Sequence, residues 1–302
     1  VLDIRMVVTA LLAVGAGIAA SGLAGFSAIQ PLVGGLAVRG RPSGIFSEPN
    51  GLGAFAAVIL VLGVGVALSA ERGLQRVVSF VAVATALVVL IASLSRGAWM
   101  GGAVGLLVLF MLLRTSPAAL IRAALLTLLA AGIALGGLLL VQPTAVDVVH
   151  RRLGTVTQTA GGLYNARPII WREAVRQISA DPWSGQGPGN FAVASLRARS
   201  VGRAGVQQYH HAHSLFLNVA AEVGIGGVAF LVGLIVSIIM AVRRRLRGLH
   251  WRDRAFLAGI AGALAVFPIH GAVDYTLGNP LLSILAWLLI GLILASPKEA
   301  EV

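Results

Sequence analysis

The chain has 302 residues, 58% of them hydrophobic and 11% charged, with a mean hydropathy of +0.92 and a formal net charge of +12. Its charges are gathered in clusters between uncharged apolar stretches of about twenty residues, the length that crosses hydrocarbon, so an ordinary soluble domain is excluded. With no cysteine, disulfides, thiolate metal ligands and cysteine nucleophiles are excluded too. About half of the basic residues lie in short loops, where topology already explains them, so nucleic acid is not an expected partner.

Hydrocarbon offers backbone groups no hydrogen-bond partners, and the apolar runs lack the period-two alternation of a barrel, so the spans are helices. The predicted fold is all-α: a single polytopic bundle over residues 1–302. Its eight spans fall near 6–26, 51–69, 77–94, 98–113, 120–141, 215–242, 255–273 and 280–296. The chain begins with Val and shows no signal-peptide pattern before the first span, so it is expected to be an excerpt of a longer protein.

Basic residues orient the bundle. The N-terminus, 70–76, 114–122, 243–254 and the C-terminus carry twelve Lys and Arg, whereas 27–50, 95–97 and 268–279 carry three, Arg39, Arg41 and Arg96. The first set is therefore expected on the cytoplasmic side. Arg243, Arg244, Arg245 and Arg247, with Arg252 and Arg254, read as a topology anchor that meets anionic headgroups. The insertion between spans five and six, 142–213, is then extracytoplasmic. Trp99, Trp183, Trp251 and Trp287 are expected near span ends, as an aromatic belt.

That insertion holds eight arginines (Arg151, Arg152, Arg167, Arg172, Arg176, Arg197, Arg199, Arg203) against Asp147, Glu173 and Asp181. Within it, 167–178 reads as an amphipathic helix lying on the membrane, with Ile170, Trp171, Ala174, Val175 and Ile178 on one face and Arg172, Glu173 and Arg176 on the other. Pro168 suits its first turn, and Asp181-Pro182 stops it. The glycine-rich run from Gly185 to Gly189 reads as a tight turn in preference to an anion cradle, because no βαβ unit surrounds it.

All the outer connections carry polar residues unlike loop filler: Glu48 and Asn50 in the first, Ser95 and Arg96 in the second, His210, His211 and His213 at the end of the insertion, and His270 and Asp274 in the last. His213 precedes Ser214, an N-cap for span six, so the helix's positive end favours a neutral imidazole able to accept a proton. Three histidines within four residues also raise a metal reading, but no nearby carboxylate completes a ligand set, and no metal is assigned. Arg96, at a span junction, and Arg167, at the head of the loop helix, have the planar fork that matches phosphate. Glu222, inside span six, lies about half a helical turn round from His213, so a direct partnership is not expected, and a hydrogen-bonded structural carboxylate is the favoured reading.

These residues carry a family resemblance. His213-Ser214, followed nine residues on by Gly224-Ile225-Gly226-Gly227, resembles a signature of the O-antigen ligase and polymerase family. So does Arg167 four residues before Trp171, followed by the run from Pro182 through Gly185 to Gly187, and so does the turn Ser95-Arg96-Gly97. Gly44 to Asn50 is similar to a further family segment, with Glu48 where Asn is usual. The resemblance implies transfer of a glycan from undecaprenyl diphosphate to a lipid or glycan acceptor, outside the bacterial cytoplasmic membrane and without cofactor or metal. It implies Arg96 and Arg167 at the diphosphate, His213 at the acceptor hydroxyl, and Arg172, His210, His211, Glu48, Asn50 and Asp274 as substrate-binding candidates. It also implies that N-terminal spans are missing.

Ligase and polymerase are not separated by these motifs. Two other classes compete. An anion transporter predicts mid-membrane charge and inverted repeats, which the sequence lacks outside Glu222. A non-catalytic subunit of an export machine leaves the Arg and His set without purpose.

Overall fold

The computed structural model describes residues 3–28, 42–46, 48–70, 73–115, 136, 167–200 and 209–295, without the side chains of 23–28 and 197–200. Among these residues every regular element is a helix: α1 (Ile4–Ala28), α2 (Pro49–Ser69), α3 (Leu74–Ala92), α4 (Arg96–Leu112), α5 (Arg167–Ala180), α6 (Phe191–Ser200), α7 (Leu215–Arg245), α8 (Trp251–Gly271) and α9 (Pro280–Ala295). Short 3-10 turns cover Gly44–Phe46 and Thr276–Gly278. Seven of the expected spans thus match helices, while the expected span at 120–141 and the insertion from 142 to 166 lie outside the described residues. α1, α2, α3, α7 and α8 are long and apolar enough to cross a membrane; α4 and α9 are apolar but shorter, at 17 and 16 residues.

The bundle is built on α2 and α8, which are apolar on every side and buried among α1, α3, α4 and α9. Small residues let their backbones touch. A Cβ on Gly65 of α2 would stand 2.3 Å from Gly259 Cα of α8, and one on Gly105 of α4 would stand 2.7 Å from the Gly262 carbonyl oxygen. Such close crossings are how helices associate where the solvent is as apolar as the side chains. α7 stands at the edge, with Phe230, Val232 and Ile239 half or more exposed along an apolar surface.

The ends of the helices sort by chemistry. Arg243–Arg245 close α7, and Arg254 at the start of α8 donates to the Leu246 and Leu112 carbonyls, while Arg5 pairs with Asp253 at 2.6 Å. At the other end stand the first turns of α2, α4 and α7 and the last turn of α8. With about 1.5 Å of rise per residue, the 21 residues of α8 separate these two ends by about 31 Å. Trp183 and Trp251 are well exposed near helix ends, but Trp287 falls halfway along α9, against the belt expectation.

The loop helix α5 forms as the sequence predicts, but with a different face inward. Ile170, Ala174 and Gln177 are buried and Ile178 is partly so, whereas Val175 is exposed. The reason is its partner. α5 packs on Phe191 of α6 and on Ala221 of α7, and Gln177 is drawn in because its amide donates to Glu173, to the Phe191 carbonyl and to Ser195.

Candidate functional site

Five segments far apart in sequence meet at the end opposite the arginine cluster, and Asp274 is their centre. This carboxylate follows the last turn of α8. One of its oxygens accepts from the Tyr275 amide at 2.8 Å and lies 3.1 Å from His213 Nδ1; the other accepts from Asn50 Nδ2 at 2.7 Å and lies 3.8 Å from an Arg167 guanidinium nitrogen. Burial pushes the Asp274 carboxyl up, but the His213 hydrogen bond and the nearby positive charges outweigh it and hold the group well below the usual carboxylate range. Asp274 is therefore ionised and can only accept. It follows that His213 Nδ1 donates in this bond, and Nε2 is the ring nitrogen turned away from the carboxylate.

Local structure fixes His213. Ser214 caps α7, its Oγ accepting from the Leu217 amide, as expected from sequence. The preceding strip is pinned where Asn218 Oδ1 accepts from the Ala212 amide and the Leu215 amide donates to the Asp274 carbonyl. His213 itself sits at φ +46°, in the left-handed region that costs a residue with a Cβ about 1 kcal/mol or more. Its neighbours over-determine that backbone and turn the ring onto Asp274.

Asp274 is held in turn by the corner that carries it. His270 is buried, its Nδ1 lies 2.6 Å from Thr276 Oγ1, and Gly97 packs against His270 and Val273. That packing brings the Ser95-Arg96-Gly97 turn to the same end. Ser95 caps α4 by accepting from the Ala98 amide, and Arg96 opens the helix with an exposed side chain that makes no hydrogen bond or ion pair among the described residues.

A second group of motif residues does mechanical work. At Gly224 the backbone turns to φ +69°, kinking α7, and the turn after α5 docks into the kink. The Gln186 and Gly187 amides donate to the Ala221 and Glu222 carbonyls at 2.8 and 2.9 Å, and the Ile225 amide donates to the Pro182 carbonyl at 2.9 Å. A Cβ on Gly224 would come within 2.3 Å of the Trp183 carbonyl oxygen, so only glycine fits. The amides of Gly185, Gln186 and Gly187 are thus committed to carbonyls, as a tight turn and not an anion cradle. The buried Glu222 carboxylate accepts from the Phe191 amide at 3.2 Å, at the positive start of α6. It has no contact with His213.

Of the sequence candidates, His213, Arg167, Asn50 and Asp274 come together, and Arg96 reaches the same end of the bundle. Arg172 does not join them: it is exposed, and its Nε donates to the Pro168 carbonyl of its own helix. His210 is exposed and likewise outside the cluster. Asp274, expected to hold substrate, has both oxygens engaged by the protein. The sequence missed this partner for His213 because 61 residues separate the two. The available signal was the segregation of His270 to Asp274 with the other polar connections.

A cavity of about 230 Å³ opens beside the cluster, lined by Phe46, Glu48, His211, Asp274, Tyr275 and Asn279 among others. The His211 ring stands edge-on to His213, centroids 4.2 Å apart, and 5.5 Å from the Tyr275 ring. Burial, reinforced by the adjacent His213, brings His211 down to about 4, so its ring is neutral. Burial also pushes the Tyr275 phenol up, with the Glu222 charge adding to it.

Helices that cross a membrane, joined by a cluster of one carboxylate, one imidazole and arginines at one end, define a multi-pass membrane protein with a polar site at the mouth of its bundle. The family model described as O-antigen ligase matches residues 80–232, just over half of the chain, and the chain belongs to that family, membrane glycosyltransferases of ligase or polymerase type. The matched stretch holds Arg96, Arg167, His213 and Gly224, but neither Asn50 nor Asp274. No curated protein matches the chain.

Proposed function

We propose that the protein transfers a glycan from undecaprenyl diphosphate to an acceptor hydroxyl at the outer face of the bacterial cytoplasmic membrane, as a ligase acting on a lipid-borne acceptor. The observation that carries this reading is the Asp274–His213 pair beside Arg167. Asp274 fixes the proton on Nδ1, so Nε2 takes the proton of the acceptor hydroxyl as its oxygen bonds to the anomeric carbon. The bond from that carbon to the phosphate oxygen breaks with its electron pair, and undecaprenyl diphosphate leaves.

Charge builds on the departing diphosphate, and in this reading Arg96 and Arg167 are the cations that meet it. Donors that strengthen as the bond breaks bind the transition state better than the ground state. Arg167 lies 3.8 Å from Asp274, close enough for the carboxylate to steer the guanidinium electrostatically. Polymerase action differs only in the acceptor, a second glycan on the same lipid, and would use the same residues.

The test is a strain scored for surface polysaccharide. With His213→Ala or Arg167→Ala present in the membrane at normal level, glycan transfer is expected to fall to background. Normal transfer by both variants would exclude the enzymatic reading and leave an assembly role.

A further inference from the structure

The Asp274 cluster uses one wall of the cavity beside it and leaves the rest without assignment. Among the described residues its lining contains two carboxylates, Glu48 and Asp274, and no Arg or Lys. Such a wall repels phosphate, so the diphosphate stays on the arginine side of Asp274 and the cavity is shaped for something else. Its polar groups are short-range hydrogen-bonders. Glu48 caps α2 without using its side chain there, and it makes no side-chain hydrogen bond or ion pair among the described residues. His211 has Nδ1 buried without a partner, which leaves Nε2 as the ring nitrogen open to a ligand. Tyr275 and Phe46 add aromatic surface.

We propose that this cavity is the subsite for the acceptor's reacting sugar, an uncharged or amino-bearing polyhydroxylated ring hydrogen-bonded by Glu48 and His211 against the Tyr275 wall. This rests on the glycosyl-transfer reading above. Nε2 of a neutral imidazole donates to or accepts from a sugar hydroxyl according to its tautomer, and the aromatic faces take the apolar face of a pyranose. Position follows from the rings: with His211 and His213 centroids 4.2 Å apart, a hydroxyl bound at one lies beside the other, where its proton is removed. Glu48 then sets specificity by charge. It admits neutral and cationic sugars and turns away uronic acids, a discrimination that the Asn usual at this place in the family could not make by charge.

The experiment uses the full chain in lipid nanodiscs and two probe classes. Methyl glucoside, methyl glucosaminide and methyl glucuronide are titrated at millimolar concentration and followed by saturation-transfer NMR; undecaprenyl diphosphate is titrated separately. Expected is saturable binding of the first two glycosides, at least tenfold weaker binding of the glucuronide, and loss of that discrimination in Glu48→Gln. Glu48 is exposed and makes no capping bond, so this variant should fold. His211→Leu should weaken all three glycosides while retaining diphosphate binding.

Glucuronide bound as well as glucoside by the native chain would overturn the proposal. So would unchanged discrimination in Glu48→Gln, or no glycoside binding by a protein that binds undecaprenyl diphosphate. Failure to bind the diphosphate lipid as well would instead overturn the donor assignment on which the proposal stands.

Discussion

Replacing Asp274 by Asn is the sharpest probe of how the cluster works. The amide keeps the size of the carboxylate, but its NH2 must face either His213 Nδ1 or Asn50 Nδ2, both donors at 3.1 and 2.7 Å. If the amide oxygen stays toward His213 and the Tyr275 amide, the transition state still loses the negative charge beside the imidazolium that forms when Nε2 takes the proton. Hydrogen bonds to charged groups contribute about 1.5–3 kcal/mol, and a tenfold rate change corresponds to about 1.4 kcal/mol. A fall in kcat of roughly 10- to 150-fold is expected, with KM for donor within about threefold.

The assay is transfer in nanodiscs, normalised to folded protein, because two of the four partners of Asp274 lose an acceptor. In a His213→Ala background the same change should cost no more than about threefold, the share that runs through Arg167, since residues acting as one unit are not additive. A full multiplicative loss on top of His213→Ala would refute the idea that Asp274 acts through the imidazole.

Further outcomes follow from particular contacts. Arg96→Ala and Arg167→Ala should each lower kcat by about 10²–10³, while Arg172→Ala, whose side chain turns back onto its own helix, should stay within about twofold in the same transfer assay. Gly224→Ala forces a Cβ into the Trp183 carbonyl at a positive φ and should destabilise by about 1–3 kcal/mol, read as a lowered Tm of the detergent-solubilised chain. His211 titrates lower in the folded protein than when unfolded, so its contribution to stability is full above about pH 6.5 and is lost as pH falls toward 4. Between about pH 7 and pH 5 that loss is roughly 2 kcal/mol, and His211→Leu should flatten the pH dependence of Tm over that window. Because the chain has no native cysteine, single cysteines at 96, 213 and 247 can be labelled with an impermeant maleimide; the first two should react from outside the cell and the third should not.

Much of this was legible in the sequence because a bilayer constrains it so tightly. Apolar length gave seven described helices to within a few residues, and the Ser214 cap was readable because capping is local. What lay between distant segments was not. The face of α5 differs from its hydrophobic pattern because Gln177 is buried by hydrogen bonds to α6, a partner that periodicity does not name. The kink at Gly224 and the turn at Gly185–Gly187 are visible as motifs, yet only the fold shows that each glycine exists to receive the other's backbone. Asp274 reads from sequence only as one more polar residue in an outer connection; its 3.1 Å contact with His213 is encoded by no spacing rule.

The most direct measurement supplies purified protein with an undecaprenyl-diphosphate-linked glycan and a hydroxyl acceptor, and counts undecaprenyl diphosphate released per glycan transferred. One for one is expected from the native chain, with His213→Ala still binding the donor but releasing nothing above background. Release at the native rate by His213→Ala, or a native chain that binds the donor and never cleaves it, would contradict the account.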